Sequence, residues 1–451
     1  MRTFHHGGKH TVTGSCHEVQ FEHGSLLIDC GQFQGKDARP MDVEFSIEQV
    51  RALVLTHAHI DHVGRLPWLL AAGFSGPIYC TPATAELVPL MLDDGLKLQL
   101  GMDKPQRQRV LEALNKRFVP IEYGVWQGVV LSPPDSQGGD ALSCCCETVE
   151  IRFNPAGHIL GSAYVEIRQE NGEVIVFSGD LGPSDTPLLP DPVAPPRADV
   201  LYIESTYGNK QHDSVAHRAE RLEAIINRSL QDGGVIIIPA FSVGRTQELL
   251  FDIEQLIYQR GITGQIPIIL DSPMASEVTR SYRGYRELWG KEAKQRLEHH
   301  RHPLAFDQCV VVEHYREHLA LVNRLAKTGE PAIVVAASGM CEGGRVMGYL
   351  KALLADVHTD VLFAGYQAQG TLGCVLQSGA KRVEIADEWI NVRAQIHTMS
   401  GYSAHADQTD LLRFIQGIDV PPKEIHLIHG EAEAKTAFKD CLQKLGYHVI
   451  E

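Results

Sequence analysis

Six consecutive residues, His57-Ala58-His59-Ile60-Asp61-His62, bring three imidazoles and a carboxylate together directly after the apolar run Ala52-Leu53-Val54-Leu55. Both groups are ligands of first-row metals, and zinc accepts both. A strand ending there fixes His57 and His59 on a turn. Asp61 and His62 then open the next helix and can face a second ion. Two ions about 3.5–4 Å apart form the clamp that in-line displacement at phosphorus needs. A histidine-rich surface turn is the plain alternative, and so many donors at one strand end argue against it.

Four more polar residues follow apolar runs in the same way. His158 closes Pro155-Ala156-Gly157-His158 and Asp180 closes Phe177-Ser178-Gly179-Asp180. Glu204 ends Val200-Leu201-Tyr202-Ile203, and His429 ends Ile425-His426-Leu427-Ile428. Any one of them alone reads as a capping or turn residue. Beside the first cluster, all four read as projections from one rim of a sheet. His405 adds a candidate general acid, since histidine titrates near neutrality and a carboxylate partner favours its protonated form. Without such an acid the leaving oxygen would depart as an alkoxide. The competing role for His405 is a helix-flanking residue before a cap at Asp407.

These motifs resemble the β-CASP branch of the metallo-β-lactamase superfamily, which includes ribonuclease J and the endonuclease that cuts pre-messenger RNA at its 3′ end. The His-x-His-x-Asp-His pattern is shared across the superfamily. Specific to the branch are Glu204-Ser205-Thr206-Tyr207-Gly208, Ser403-Ala404-His405-Ala406-Asp407 and Ile428-His429-Gly430-Glu431, present here in the branch's order. The matches run from Gly14-Ser15-Cys16 to the His429 motif. The resemblance implies an α/β fold, namely an αββα metallo-β-lactamase sandwich with an inserted β-CASP domain built on a parallel sheet. It also implies two zinc ions per chain. His57, His59 and His158 would hold one, Asp61, His62 and His429 the other, and Asp180 would bridge them. Glu204, His405 and Asp61 form the expected catalytic set, with Glu204 as the partner of His405. Asp29 matches the family's first-strand acid, a group that orients the histidine loop rather than binding metal. The expected reaction is hydrolysis of RNA phosphodiesters to 5′-phosphate and 3′-hydroxyl ends, acting within the chain. Ribonuclease J carries an additional C-terminal domain; this chain looks like a two-domain minimal form, which weakens any carry-over of exonuclease behaviour.

The elements that must position these residues change character along the chain. Before Glu204, short strands at 26–29, 52–55, 148–153, 163–168 and 173–177 mix with helices expected at 62–72, 82–100 and 104–117; Asn171-Gly172 is a hairpin turn. After it, apolar strands at 235–238, 268–270, 310–312, 333–336 and 361–363 alternate with helices at 245–259, 274–286, 314–327 and 345–354. Such alternation indicates a parallel sheet covered on both faces. The expected domains are therefore a metallo-β-lactamase part at 1–205, a β-CASP insert at 206–392 and a returning part at 393–451. Within the insert, strand-to-helix loops carry small residues and free backbone donors suited to phosphate. They are Phe241-Ser242-Val243-Gly244-Arg245-Thr246, Ala337-Ser338-Gly339-Met340 and Gly343-Gly344-Arg345, with Gly365-Tyr366-Gln367-Ala368-Gln369-Gly370-Thr371 as a further loop of family-like sequence. Ser242, Arg245, Ser338 and Gly339 are the expected RNA contacts.

The 451 residues carry a formal charge of -15, an odd balance for a chain that must hold a polyanion. The acidity is uneven: residues 205–392 hold 20 Lys+Arg against 22 Asp+Glu, so most of the excess lies in the metal-bearing part. A local basic face is compatible with that distribution. No apolar run approaches the roughly 20 residues of a membrane helix, and the first residues have no apolar signal core. A cytoplasmic protein with reduced thiols is expected, with RNA as its partner, no membrane association and a homodimer left open. The run Cys144-Cys145-Cys146 has no framework spacing. Two other readings stand beside the ribonuclease. A thioesterase or lactamase of the same fold would not need Glu204, His405 or the insert, and a non-catalytic RNA-processing partner would not need a full ligand set.

Overall fold

The computed structural model describes residues 1–132, 147–213, 215–260, 266–365, 367 and 369–450. The Cys144–Cys146 run, and Tyr366 and Ala368 of one expected phosphate loop, lie outside the described residues. Two compact units are present: residues 1–184, 191–211 and 405–451 form one, and 185–190 with 212–404 form the other.

The first unit opens with a six-stranded sheet in simple sequential order: β1 (Arg2–Gly7), β2 (Cys16–Gln20), β3 (Ser25–Ile28), β4 (Val50–Val54), β5 (Ile78–Cys80) and β6 (Phe118–Pro120). Helices α1 (Ile60–Val63), α2 (Leu66–Ala71), α3 (Pro82–Leu100) and α4 (Lys104–Asn115) lie along it. The single helix expected over 62–72 is two pieces, interrupted at Gly64 and Arg65. The break has a physical cause: Arg65 N–H donates to Cys30 O, and its Nε donates to Gly31 O. These bonds hold the turn against the end of β3 instead of letting the helix run on. Helix α3 begins where Thr81 caps it ahead of Pro82 and ends at left-handed Gly101, both ordinary stop and start chemistry.

The second sheet of this unit begins with β7 (Trp126–Val130), β8 (Thr148–Pro155), β9 (Ala163–Arg168), β10 (Val174–Phe177) and β11 (Val200–Glu204). The first four are antiparallel neighbours, and β11 joins β10 in parallel. The chain then builds the other unit from α5 (Val215–Asp232), β12 (Val235–Pro239), α6 (Arg245–Arg260), β13 (Ile268–Asp271), α7 (Pro273–Gly284), α8 (Lys291–Glu298), β14 (Cys309–Val311), α9 (Tyr315–Thr328), β15 (Ala332–Ala336), α10 (Val346–Leu353), β16 (Asp360–Phe363), α11 (Leu372–Gln377), the hairpin β17 (Arg382–Ile385) and β18 (Glu388–Asn391), and β19 (Gln395–Thr398). Its main sheet runs β14-β13-β15-β12-β16-β19 with every neighbouring pair parallel. Strands β12, β13, β15 and β16 are buried along their whole length, as their mostly apolar sequences require once helices cover both faces. The alternation read from the sequence named no helix at 215–232, yet α5 fills that span.

The first unit is completed by α12 (Gln408–Gln416), β20 (Glu424–Ile428), α13 (Ala432–Lys444) and β21 (Val449–Ile450). Strand β20 inserts beside β11 in parallel, and β21 extends the edge. The core between the two sheets is built from Leu26, Ile28, Ala52 and Val54 on one side and Ile151, Phe153, Val165, Ile175 and Phe177 on the other. Behind the second sheet, Leu411, Phe414 and Ile415 of α12 and Phe438 and Leu442 of α13 pack on Leu201, Ile203 and Ile425. The unit is thus a helix-sheet-sheet-helix sandwich. Among the described residues no helix is long and apolar enough to cross a membrane, and the seven described cysteines are free thiols.

Asp199 ties three strands of the second sheet together at their starting ends. Its carboxylate accepts from Val174 N–H at 2.9 Å and from Arg197 at 2.8 and 3.0 Å, and pairs with Lys423 at 3.0 Å. Burial alone would raise its pKa, but these donors outweigh it and hold the carboxyl at about 2. A depressed carboxyl pKa stabilises fully above the free value of about 3.9 and loses that contribution as pH falls toward the folded value. Asp199→Asn should therefore cost roughly 1–3 kcal/mol at pH 6, read as a lower calorimetric midpoint. The gap from wild type should narrow at pH 3; a gap that is constant with pH would refute the charge-based account.

Candidate metal centre

The metal-binding positions expected from the sequence all lie in the first unit, at the C-terminal ends of strands, on the loops just beyond them or, for Asp61 and His62, on the short helix α1. β4 leads to His57 and His59, β8 to His158, β10 to Asp180, β11 to Glu204 and β20 to His429. These ends converge because the two sheets face each other and their parallel strands run the same way. The loops are tight. Gly31 has no room for a side chain, since a Cβ would collide with the Asp61 carbonyl. Asp29 and His429 both adopt left-handed backbone, with φ of 59° and 47°, an unusual state for residues other than glycine. In each case hydrogen bonds hold it: Asp29 N–H donates to Val54 O, and His429 N–H donates to Gly8 O at 2.6 Å.

Three groups of donor atoms form within this unit, and Asp180 belongs to all three. In the first, His57 Nε2 and His158 Nε2 lie 3.2 and 3.0 Å from His59 Nδ1, and each lies 3.6 Å from Asp180 Oδ2. In the second, the other oxygen, Asp180 Oδ1, lies 3.4 Å from His62 Nε2 and 3.5 Å from His429 Nδ1, and Asp61 Oδ2 is 3.8 Å from Nε2 of both His62 and His429. In the third, His405 Nδ1 is 3.1 Å from Glu204 Oε2 and 3.8 Å from Asp180 Oδ2. All of these side chains are buried or half-buried, Glu204 completely.

The donor set fits a pair of metal ions. Around an ion with nitrogen ligands at about 2.0–2.1 Å, tetrahedral neighbours stand about 3.3 Å apart, close to the spacings in both groups. His62 Nε2, Asp180 Oδ1 and His429 Nδ1 are buried and make no hydrogen bond. Buried polar atoms are nearly always paired, and here all three border the same small space. The charges agree. Burial disfavours a charged His62, yet Asp180, Asp29 and Asp61 outweigh it and raise its pKa well above the ordinary value, so positive charge is stabilised at that point. Burial dominates at His57, His59 and His429 and lowers each of them, which leaves neutral imidazoles with lone pairs to donate.

Around this centre stand residues that hold it in place. Asp29 accepts from Thr56 N–H and Thr56 Oγ1, both at 2.8 Å, and its Oδ2 meets His62 Nδ1 at 2.7 Å. Thr56 Oγ1 also lies 3.1 Å from His57 Nδ1. Glu204 accepts from Leu181 N–H and Thr206 Oγ1, both at 2.6 Å, and its backbone N–H donates to Ser178 Oγ. Burial would lower His405, but Glu204 and Asp180 more than compensate and push it up to about 9. Thr56, Ser178 and Thr206 were not singled out from the sequence. Their signal was position, a hydroxyl within two residues of a charged group at a strand end, and for Thr206 also its place in the Glu204–Gly208 motif.

The expected RNA contacts lie in the other unit. Ser242 and Ser338 follow β12 and β15, adjacent strands of its parallel sheet, so they share one sheet edge. Both are half-buried, and Gly339 is buried. Ser242 Oγ is 3.3 Å from Ser272 Oγ, while Ser338 Oγ accepts from Glu342 N–H. Arg245 is only 7% exposed, placed over the Phe241 ring and under Gly365. Arg345, in the neighbouring loop, is engaged internally by Asp271, Val312 O and Glu313 O.

Comparison with known proteins agrees with this architecture. A family model described as the metallo-beta-lactamase superfamily matches residues 11–135, one described as the Beta-Casp domain matches 246–376, and one described as a Zn-dependent metallo-hydrolase RNA specificity domain matches 389–450. The chain is 37% identical over its whole length to Ribonuclease TTHA0252 of Thermus thermophilus, spanning 97% of that protein. Over 97% of its length it is 33% identical to the transcription termination factor FttA of Methanocaldococcus jannaschii and 32% identical to that of Thermococcus kodakarensis, spanning 68% of each. The sandwich, the inserted parallel-sheet unit, the shared carboxylate and these likenesses together establish that the chain belongs to the β-CASP family of the metallo-β-lactamase superfamily and is a metal-dependent hydrolase of the ribonuclease class.

Proposed function

We propose that this chain binds two zinc ions and hydrolyses RNA phosphodiester bonds endonucleolytically, leaving 5′-phosphate and 3′-hydroxyl ends. The observation that carries the reading is the division of Asp180: one oxygen faces the His57, His59 and His158 group, and the other faces His62 and His429. A carboxylate so placed is suited to bridge two ions. Mixed imidazole and carboxylate donors in small tetrahedral groups suit zinc. The third group distinguishes the ribonuclease from a small-molecule hydrolase of the same fold, which has no use for the Glu204–His405 pair.

When bound, the ions supply Lewis acidity at the phosphate and make a nucleophilic water accessible near neutral pH. The protein's own residues do the rest. Glu204, locked by Leu181 N–H and Thr206, fixes the His405 ring through Nδ1 and favours its protonated form. His405 Nε2 then passes a proton to the departing 3′ oxygen. Asp29, acting through Thr56 and Nδ1 of His62, holds the histidine loop in one geometry. Small residues and helix starts at the sheet edge around Ser242, Arg245, Ser338 and Gly339 are assigned to phosphates of the bound strand. None of these steps needs a chain end, and digestion of circular RNA tests that mode directly: linearised product is expected, and intact circles beside degraded linear RNA would refute endonuclease action.

The carboxylates should separate in substitution. Asp180→Ala is expected to abolish turnover and release at least one zinc per chain, measured by elemental analysis after desalting. Asp29→Ala should retain both ions under saturating zinc and lose roughly 10–100-fold in affinity or activity. Full zinc content and full turnover in Asp180→Ala would overturn the bridging assignment.

The proton donor has its own signature. His405→Ala should keep both ions and bind RNA normally, while turnover of RNA falls about 10²–10⁴-fold. A nitrophenyl phosphodiester, whose phenolate leaves without a proton, should be cut with a much smaller loss. Glu204→Gln should follow the same pattern more weakly. Equal losses on both substrates would assign His405 to shaping the site instead.

A further inference from the structure

The protein carries a formal charge of -15, yet the fourteen residues from Lys104 to Arg117 hold five cations and a single acid, Glu112. They form α4 and its C-terminal turn. Helix α4 is set by an Asp103–Gln106 capping box and buries Leu114, so its inner face and its start are defined by ordinary helix chemistry. Two of the cations are engaged internally. Arg107 Nε donates to Asp93 of α3 at 2.7 Å, and Arg117 donates to Ser75 O at 3.1 Å. The remaining three, Lys104, Arg109 and Lys116, are exposed, and their side chains make no ion pair or hydrogen bond among the described residues. Arg109, Glu112, Ala113, Lys116 and Arg117 line one surface cavity. Arg109, Glu112 and Lys116 stand at helical spacings of three and four, so they share a face.

We propose that this face of α4 is an anchoring site for the phosphates of single-stranded RNA, away from the metal centre; the inference rests on the RNA reading given above. A fold can tolerate a solvated basic helix, but unneutralised cations around a common cavity create a local positive field against the acidic sum of the chain. The only carboxylate in the cavity is outnumbered three to one. The packing also places α4 within reach of a bound strand. It lies against α3, and α3 lies against α1, the helix that bears Asp61 and His62. Two interhelical spacings of 8–10 Å put it ~20 Å from the metal ligands. At the ~3.4 Å per phosphate of a helically stacked strand, RNA of about six nucleotides covers that distance, and fewer suffice where the strand is extended. Long substrates would thus engage α4, and very short ones would not.

The test compares wild type with the double variant Arg109→Gln/Lys116→Gln, using a single-stranded RNA of about 30 nucleotides and a tetranucleotide. Each lost phosphate contact on a single strand lowers the slope of log affinity against log salt by about 0.7, so about 1.4 is expected for the 30-mer. KM for the 30-mer should rise with kcat unchanged. Turnover of the tetranucleotide and zinc content should stay at wild-type values. A control, Lys327→Gln/Lys444→Gln, removes the same net charge from the ends of α9 and α13 and should leave the slope unchanged. An unaltered slope in the α4 variant, or an equal loss in the control, overturns the proposal while leaving the ribonuclease reading intact. A wild type that neither binds nor cleaves RNA overturns both.

Discussion

One carboxylate organises this molecule. Asp180 is 2% exposed and sits among six histidines, with Asp61 and Glu204 close by. Bringing carboxylates together out of water is costly unless positive charge lies between them. The arrangement holds because neighbouring groups are immobile. Glycine at position 31 admits the Asp61 carbonyl, left-handed backbone at Asp29 and His429 turns the chain sharply, and Thr56 and Thr206 take up the spare lone pairs. Much of the sandwich can be understood as a scaffold that brings five strand ends to one point.

The donor residues of the cluster were legible because metal chemistry uses few residue types and strand ends mark where such residues gather. His57 to His62 stand out by density, and His158, Asp180 and His429 by following apolar runs. Less legible was anything that depends on rotation about a backbone. Arg245 opens α6, and nothing in its neighbours says whether the guanidinium turns outward or packs on Phe241. The break between α1 and α2 was equally hidden, since it depends on Arg65 reaching carbonyls of a strand more than thirty positions earlier. Helix α5 lacked a clear starting signal, and its many charges hid the apolar stripe through Leu222, Ile225 and Ile226.

Electrostatics divide the labour in a way net charge conceals. The chain is acidic overall, but its carboxylates are in large part consumed by architecture. Asp199 ties strands together, Asp271 satisfies His318, Arg345 and Tyr349 at once, and Glu248 and Asp252 hold buried Arg218. A polyanion approaching the surface meets the charges left over, not the formal sum. Partner preference therefore has to be read from which cations are unspent.

The place of β20 in the second sheet has a consequence in time. It lies beside β11, yet more than two hundred residues of chain separate them, and an entire unit is made in between. At the ribosome, where domains tend to fold in the order they emerge, the first sheet and its histidine loop are available early. His405 and His429 arrive only with the last fifty residues. The donor cluster is therefore geometrically incomplete through nearly all of synthesis, and a growing chain is surrounded by messenger and ribosomal RNA while it is still unarmed.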